Sequence, residues 1–505
     1  MKILDFEFNP KRIIDNPTDA ELREMCLRQD GKVTQFGNIA VISRVRNRSA
    51  KFTEVIFDKI DDDDRETLRQ AFLAISDKTM IQIDKTMCMD ERFKKACRIY
   101  VDAKFARLPL MWGSTLFPTE GKEPDFITID LPDWRERRVY VFPDRGITIA
   151  LGTDYKGEVK KSMLRQIMYI VKEDSCLGLH AGSKVVRVKK NGELTDVGFL
   201  FFGLSGTGKT SLSCHHHWLR WPEGVVIRQD DVVILQPDGR AAGTEACYYI
   251  KTDGLKPDDQ PLLYAAAISP RAILENVRVA GEDNVVDFDD ASLTSNGRAM
   301  VNRRDIAFTD DSVDLEHVHN IVFITRHYHT VPPVMKLSPE WGAAAFMLGE
   351  SIETSAGDPS KAGQSKRVVG TNPFIVGSEA DEGNIFLDLL RKNPDIQCYL
   401  LNTGWVGGDH RGVKISVKDS ARIIEMIARD AVTWTRDPFW GYKVPDEVPG
   451  LDMSRFDLEN FYSPDEVELA SRELRDERRE WLAGFDDLSP DIVNVFAEAP
   501  SPTEA

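Results

Sequence analysis

No apolar run in this 505-residue sequence approaches the roughly 18 residues that a membrane-spanning helix needs, so a membrane partner is not expected. Cysteine is sparse. The seven residues Cys26, Cys88, Cys97, Cys176, Cys214, Cys247 and Cys398 are odd in number and never form a CxxC pair. That spacing speaks against a disulfide framework or a thiolate zinc site and reads as reduced thiols. Positive charge is also short, with 65 Lys and Arg against 82 Asp and Glu, a net charge of -17 spread along the chain. Nucleic acid or an anionic membrane would favour a basic face, so neither is expected as a partner. Internal repeats are lacking, and the opening MKILDFEFNPKR has neither an apolar segment nor a small-residue cleavage site. A secretory signal is therefore not expected, and a cytoplasmic location is.

What is present is ordinary globular material, 42% hydrophobic and 29% charged, long enough for two or three domains. Residues 63–75 have helical periodicity, while 138–141 and 147–151 read as strands, so the first part is mixed α/β. Apolar runs at 197–202, 225–227, 232–235 and 321–324 suggest a sheet in the second part, with 197–202 continuous enough for a strand buried on both faces. Ser463, Pro464 and Glu466 supply a cap, a first-turn proline and a capping-box acid for a helix reaching about Trp481. The expected division is residues 1–175, 176–490 and a fraying tail at 491–505.

Gly203, Leu204, Ser205, Gly206, Thr207, Gly208, Lys209 and Thr210 satisfy GxxxxGK[ST] between a predicted strand and a predicted helix, the context in which this pattern cradles phosphates. Glycines there let backbone N–H groups converge on phosphate oxygens. Lys209 would reach the β- and γ-phosphates, and the Thr210 hydroxyl would face a magnesium ion. Asp230 and Asp231 follow the apolar run 225–227, and two adjacent carboxylates at a strand end suit a cation. His215, His216 and His217 follow the loop and are expected on the solvated side of its helix.

Around this loop the sequence resembles the ATP-dependent phosphoenolpyruvate carboxykinases. GLSGTGKTSLS is similar to that family's phosphate loop, and Thr153-Asp154-Tyr155-Lys156-Gly157-Glu158-Val159-Lys160-Lys161-Ser162-Met163 to its substrate and metal segment. The likeness continues in Leu274-Glu275-Asn276-Val277, Val286-Asp287-Phe288-Asp289-Asp290, Val331-Pro332-Pro333-Val334, Asn402-Thr403-Gly404-Trp405 and Lys414-Ile415-Ser416-Val417-Lys418-Asp419-Ser420. It implies an N-terminal mixed α/β domain and a C-terminal mononucleotide-binding domain containing the P-loop. The implied reaction converts oxaloacetate and ATP to phosphoenolpyruvate, ADP and CO2, by decarboxylation to an enolate and phosphoryl transfer.

The resemblance also implies residue roles. Lys161, His180 and Asp231 would hold Mn2+, with Mg2+ on ATP beside Thr210. Arg48, Tyr155, Lys161 and Arg298 would bind substrate, while Lys161, Lys209 and Arg298 would serve catalysis. Ser211, Glu275, Arg298, Lys414, Ile415 and Ser420 would join the loop in nucleotide binding. The chain departs from the family pattern at three places. Val232-Val233-Ile234-Leu235 stands for Glu-His-Gly-Trp, Ala181-Gly182-Ser183-Lys184 for Cys-Ser-Ala-Asn, and Lys414 for an arginine. Lysine keeps the charge but loses the planar fork. A kinase of the same fold acting on another small carboxylate or enol is the alternative, and a non-catalytic nucleotide-binding regulator is a third reading.

Overall fold

The computed structural model describes residues 1–45, 52–204, 206–352, 364–408, 411–437 and 440–496. It is a mixed α/β structure with several sheets, divided into two compact units. The first comprises Met1–Ile170 with Thr244–Ala307, the second Val171–Gly243 with Phe308–Ala505. The expected single boundary at 175/176 is corrected accordingly. Thr244–Ala307 returns to the first unit because its strand Ile273–Glu275 pairs in parallel with Ile39–Val41. Those main-chain groups would otherwise lack ladder partners.

An eight-stranded sheet dominates the first unit. Its strands include Phe126–Leu131 between Lys95–Asp102 and Ile147–Leu151, with Arg138–Phe142 beside the last. Side chains alternate across a strand, so Ile129 and Leu131 join Leu68, Phe72 and Ile75 of helix Asp62–Ile75 in one core. Thr128 instead donates to Ser162 Oγ at 2.8 Å, on helix Lys156–Ile170. A five-stranded sheet orders Cys247–Lys251, Arg298–Asn302, Ile273–Glu275, Ile39–Val41 and Lys32–Val33.

In the second unit, three mutually parallel strands, Glu193–Gly203, Asn320–Thr325 and Gln397–Asn402, lie within another eight-stranded sheet. The continuous run expected at 197–202 is the buried stretch of the first, as parallel strands covered on both faces require. Phe202 and Phe323 pack with Phe346 and Phe386 from helices Pro339–Leu348 and Glu379–Lys392. Helix Pro464–Ala483 has the expected capping box, with Ser463 accepting from Glu466 N and the Glu466 carboxylate from Ser463 N. The expected fraying from residue 491 is corrected for 491–496. Ile492 and Phe496 are buried in the second unit's core, whereas 497–505 lie outside the described residues. No helix among the described residues is long and apolar enough to cross a membrane.

Candidate active site

The phosphate loop leaves the carboxyl end of Glu193–Gly203, where open α/β sheets bind ligands, and enters the one-turn helix Lys209–Ser213. Gly206 and Gly208 have φ of 86° and 102°, left-handed values that strain other residues. Gly203 is required for another reason: a Cβ there would stand 2.5 Å from Thr207 Oγ1. Thr207 Oγ1 donates to Leu204 O at 2.8 Å, and Thr403 Oγ1 donates at 2.8 Å to Thr207 O. The loop is thus tied to the chain leaving the parallel strand Gln397–Asn402. Ser205 lies outside the described residues.

Lys209 Nζ donates to Asp230 O at 2.9 Å, and Thr210 Oγ1 donates to Asp230 Oδ1 at 3.0 Å. Asp231 turns elsewhere, with Oδ1 2.9 Å from His180 Nε2. Sheet pairing brings these distant residues together: Leu177–Leu179 runs antiparallel to Val233–Leu235, with Leu179 opposite Val233. His180 leaves one strand where Asp231 approaches the other. The apolar run 232–235, a departure from the family pattern, is the strand that builds this meeting. His180 Nδ1 lies 2.7 Å from Thr371 O. A carbonyl can only accept, so Nδ1 carries a proton; a carboxylate oxygen likewise only accepts, so Nε2 donates in this contact and would offer a lone pair only to a cation held between the two groups.

Lys161 stands on helix Lys156–Ile170 of the first unit, largely buried. Tyr155 is buried just before that helix; a Cβ on Gly157 would come within 2.3 Å of its ring, so glycine is needed there. Arg48 lies outside the described residues. The approach to it is anchored, since Asp154 accepts from Arg44 N at 2.9 Å and Val45 N at 2.8 Å and pairs with the Arg107 guanidinium. Arg298 donates through Nε and Nη2 to Asn296 Oδ1, at 3.2 and 2.8 Å. Glu275 is fully buried and accepts from the Tyr249 hydroxyl. Ser211 follows Thr210 on the loop helix. Lys414 is exposed, while Ile415 packs against Val406 and Phe456 and Ser420 is buried on helix Val417–Ala428.

The histidine trio departs from expectation. The helix ends at Ser213, and His217 and Trp218 have φ of 54° and 53°, which turns the chain inward. His217 is buried, with Nε2 2.5 Å from Lys184 Nζ and Nδ1 2.9 Å from Ala421 O. Burial, with the neighbouring Lys184, holds the His217 imidazole far below its ordinary pKa.

A family model for phosphoenolpyruvate carboxykinase matches residues 11–454. Phosphoenolpyruvate carboxykinase (ATP) of Aeropyrum pernix is 34% identical over 480 residues, 94% of this chain and 95% of that relative. The Thermus thermophilus protein of that name is 28% identical over 456 residues, covering 85% and 82%. A third, from Rhodopseudomonas palustris strain TIE-1, is 28% identical over 421 residues, covering 78% and 74%. The chain belongs to the ATP-dependent phosphoenolpyruvate carboxykinase family. It is therefore an ATP-dependent carboxykinase acting on small molecules, and such enzymes use a divalent metal with ATP.

The donor set suits that requirement. Two ligands at about 2.1 Å on adjacent corners of an octahedron are about 3 Å apart, and His180 Nε2 and Asp231 Oδ1 are separated by 2.9 Å. The Nδ1 contact with Thr371 O is of the kind that, in metal sites, fixes the tautomer of a ligating imidazole. Three supporting residues of this carboxykinase were missed in the sequence: Asp154 as an anchor, Thr371 as a histidine partner, and Tyr249. Asp154 had a local signal, an acid beside Tyr155; Thr371 and Tyr249 had none, because their partners are far away in the chain.

Proposed function

We propose that the second unit is the P-loop nucleotide-binding domain and the first the substrate-side domain of a cytoplasmic carboxykinase that takes oxaloacetate and ATP. Support comes chiefly from one arrangement. Lys209 and Thr210 meet Asp230 while the next residue, Asp231, meets His180, so successive carboxylates serve two different tasks.

Lys209 neutralises the β- and γ-phosphates, and the loop's backbone N–H groups hold them in line. Thr210 and Asp230 are the side chains for Mg2+ on the nucleotide. His180 and Asp231 are those for Mn2+, and the family resemblance adds Lys161 to that set. A divalent ion supplies positive charge where the enolate oxygen becomes negative.

Arg48 and Tyr155 orient the oxaloacetate carboxylates and keto group. The C–C bond to the departing carboxylate breaks, CO2 leaves, and the electron pair remains as the enolate. The enolate oxygen then attacks the γ-phosphorus, the bond to the bridging oxygen breaks, and ADP leaves. Arg298 neutralises charge on the transferring group. Ser211, Glu275, Lys414, Ile415 and Ser420 complete the nucleotide surroundings, with Glu275 acting through its neighbours because it is buried.

The test is to incubate the protein with oxaloacetate and Mn2+, with ATP and GTP in parallel. Phosphoenolpyruvate and CO2 in the ATP reaction are expected. ATP turnover only with a different acceptor would defeat the assignment.

A further inference from the structure

Arg298 sits on strand Arg298–Asn302 with a glutamate directly opposite: Glu275 of Ile273–Glu275 is its register partner. Opposed Arg and Glu on neighbouring strands ordinarily pair. Here they do not. The buried Glu275 carboxylate accepts from the Tyr249 hydroxyl, and its other oxygen has no hydrogen-bond partner among the described residues. Arg298 is tethered to the neutral Asn296 amide oxygen, and among the described residues no carboxylate forms an ion pair with it.

The ring of Tyr249 supports the same arrangement. Arg298 Cζ lies 5.4 Å from its centroid, Lys156 Nζ 4.5 Å and Lys160 Nζ 6.0 Å. An aromatic face attracts cations without neutralising them. Lys156 is fully buried, and its ammonium has no hydrogen-bond partner among the described residues. Lys160 pairs with Glu245 at 3.2 Å. The strand register places Tyr249 on the other side of Arg298–Asn302 from Glu275, opposite Met300, so its hydroxyl reaches across the strand that carries Arg298.

We propose that Tyr249 is a positioning residue that keeps Arg298 available for an anion: its hydroxyl engages Glu275, and its ring seats the guanidinium. The anion is a phosphoryl or carboxylate group, and this inference rests on the role given above to Arg298 at the γ-phosphate. Without the hydroxyl, Glu275 is released to pair with Arg298 and cancels its charge.

Tyr249→Phe keeps the ring and removes only the hydroxyl, so it isolates this contact. Calorimetric affinities for ATP and ADP are compared in the full-length protein, the variant and Tyr249→Phe/Glu275→Gln. Tyr249→Phe is expected to weaken ATP about 10-fold while leaving ADP unchanged, and the double variant to restore the ATP-to-ADP ratio. An unchanged ratio in Tyr249→Phe, equal loss for both nucleotides, or no restoration in the double variant overturns the inference. Absence of phosphoenolpyruvate from the unaltered enzyme counts instead against the proposed reaction, because the affinity ratio is measured without turnover.

Discussion

The Thr210 hydroxyl donates to the Asp230 carboxylate across 3.0 Å, while the Asp230 carbonyl accepts from Lys209 at 2.9 Å. One aspartate therefore holds both of the last two residues of the phosphate loop. Its side chain is a candidate for Mg2+, and its main chain holds the lysine. Asp230→Asn keeps the main-chain contact and removes the charge. Phosphoryl transfer should fall about 10²- to 10³-fold, and the Mg2+ concentration giving half-maximal rate should rise. Retention of the wild-type Mg2+ titration would remove Asp230 from the nucleotide metal site.

His180 and Asp231 yield a separate prediction about Mn2+. Asp231→Ala removes the carboxylate donor beside His180, so Mn2+ binding measured by electron paramagnetic resonance should be lost, while the strand pairing of Leu179 with Val233 persists. The Asp230 contacts with Lys209 and Thr210 do not involve the deleted carboxylate, so ATP binding should survive. Full Mn2+ affinity in Asp231→Ala would end the ligand assignment. Arg48→Ala should act differently, raising the KM for oxaloacetate with little change for ATP.

These sites were legible in the sequence to unequal degrees, for physical reasons. The loop was plain because its glycine spacing and preceding apolar run are local, as was the capping box at Ser463. The return of Thr244–Ala307 to the first unit was hidden, because it depends on three-residue strands such as Ile39–Val41 and Ile273–Glu275 pairing across a long stretch of chain. His217 was misread since no glycine marks the turn that buries it. The run Val232-Val233-Ile234-Leu235 reads as a strand from its sequence and residues 233–235 form one, but that this strand delivers Asp231 to His180 depends on its pairing with the distant Leu177–Leu179.

Acid stability should depend on Glu350, whose buried carboxylate accepts from His327 Nε2 at 2.6 Å, from Arg478 Nη2 at 2.6 Å and from Arg367 Nη2 at 3.1 Å. Burial alone would raise this carboxyl, but the Arg478 guanidinium and His327 overcome that and hold it well below the usual carboxylate range. With a folded pKa below the unfolded one, its contribution is full above about pH 4.5 and is lost as pH falls through the folded value. Arg478→Met leaves a buried charge less compensated and should cost about 3–5 kcal/mol. Denaturant unfolding near pH 7 reads that loss, and a loss below about 1 kcal/mol would exclude a structural role for the pair.

Lys184 offers the last test, because a fully buried lysine braces the chain after the phosphate loop. Its ammonium donates to Leu212 O at 2.6 Å and His215 O at 3.3 Å and meets His217 Nε2 at 2.5 Å, beneath the Phe201 ring. Burial brings its pKa down to about 7. Between that value and the ordinary lysine value the unfolded chain binds more protons than the folded one, so stability should rise with pH across this interval, by up to about 1.4 kcal/mol per pH unit. Cys214, His215, His216 and His217 share this neighbourhood, and Lys184→Met separates the lysine's contribution from theirs. The variant should lose that rise and, at neutral pH, about 1–3 kcal/mol for the acceptors left unpaired. Because Leu212 O lies in the loop's helix and His215 O just after it, ATP affinity should weaken as well. Parallel stability profiles for the two proteins from pH 7 to pH 10 would show that Lys184 is not the titrating group.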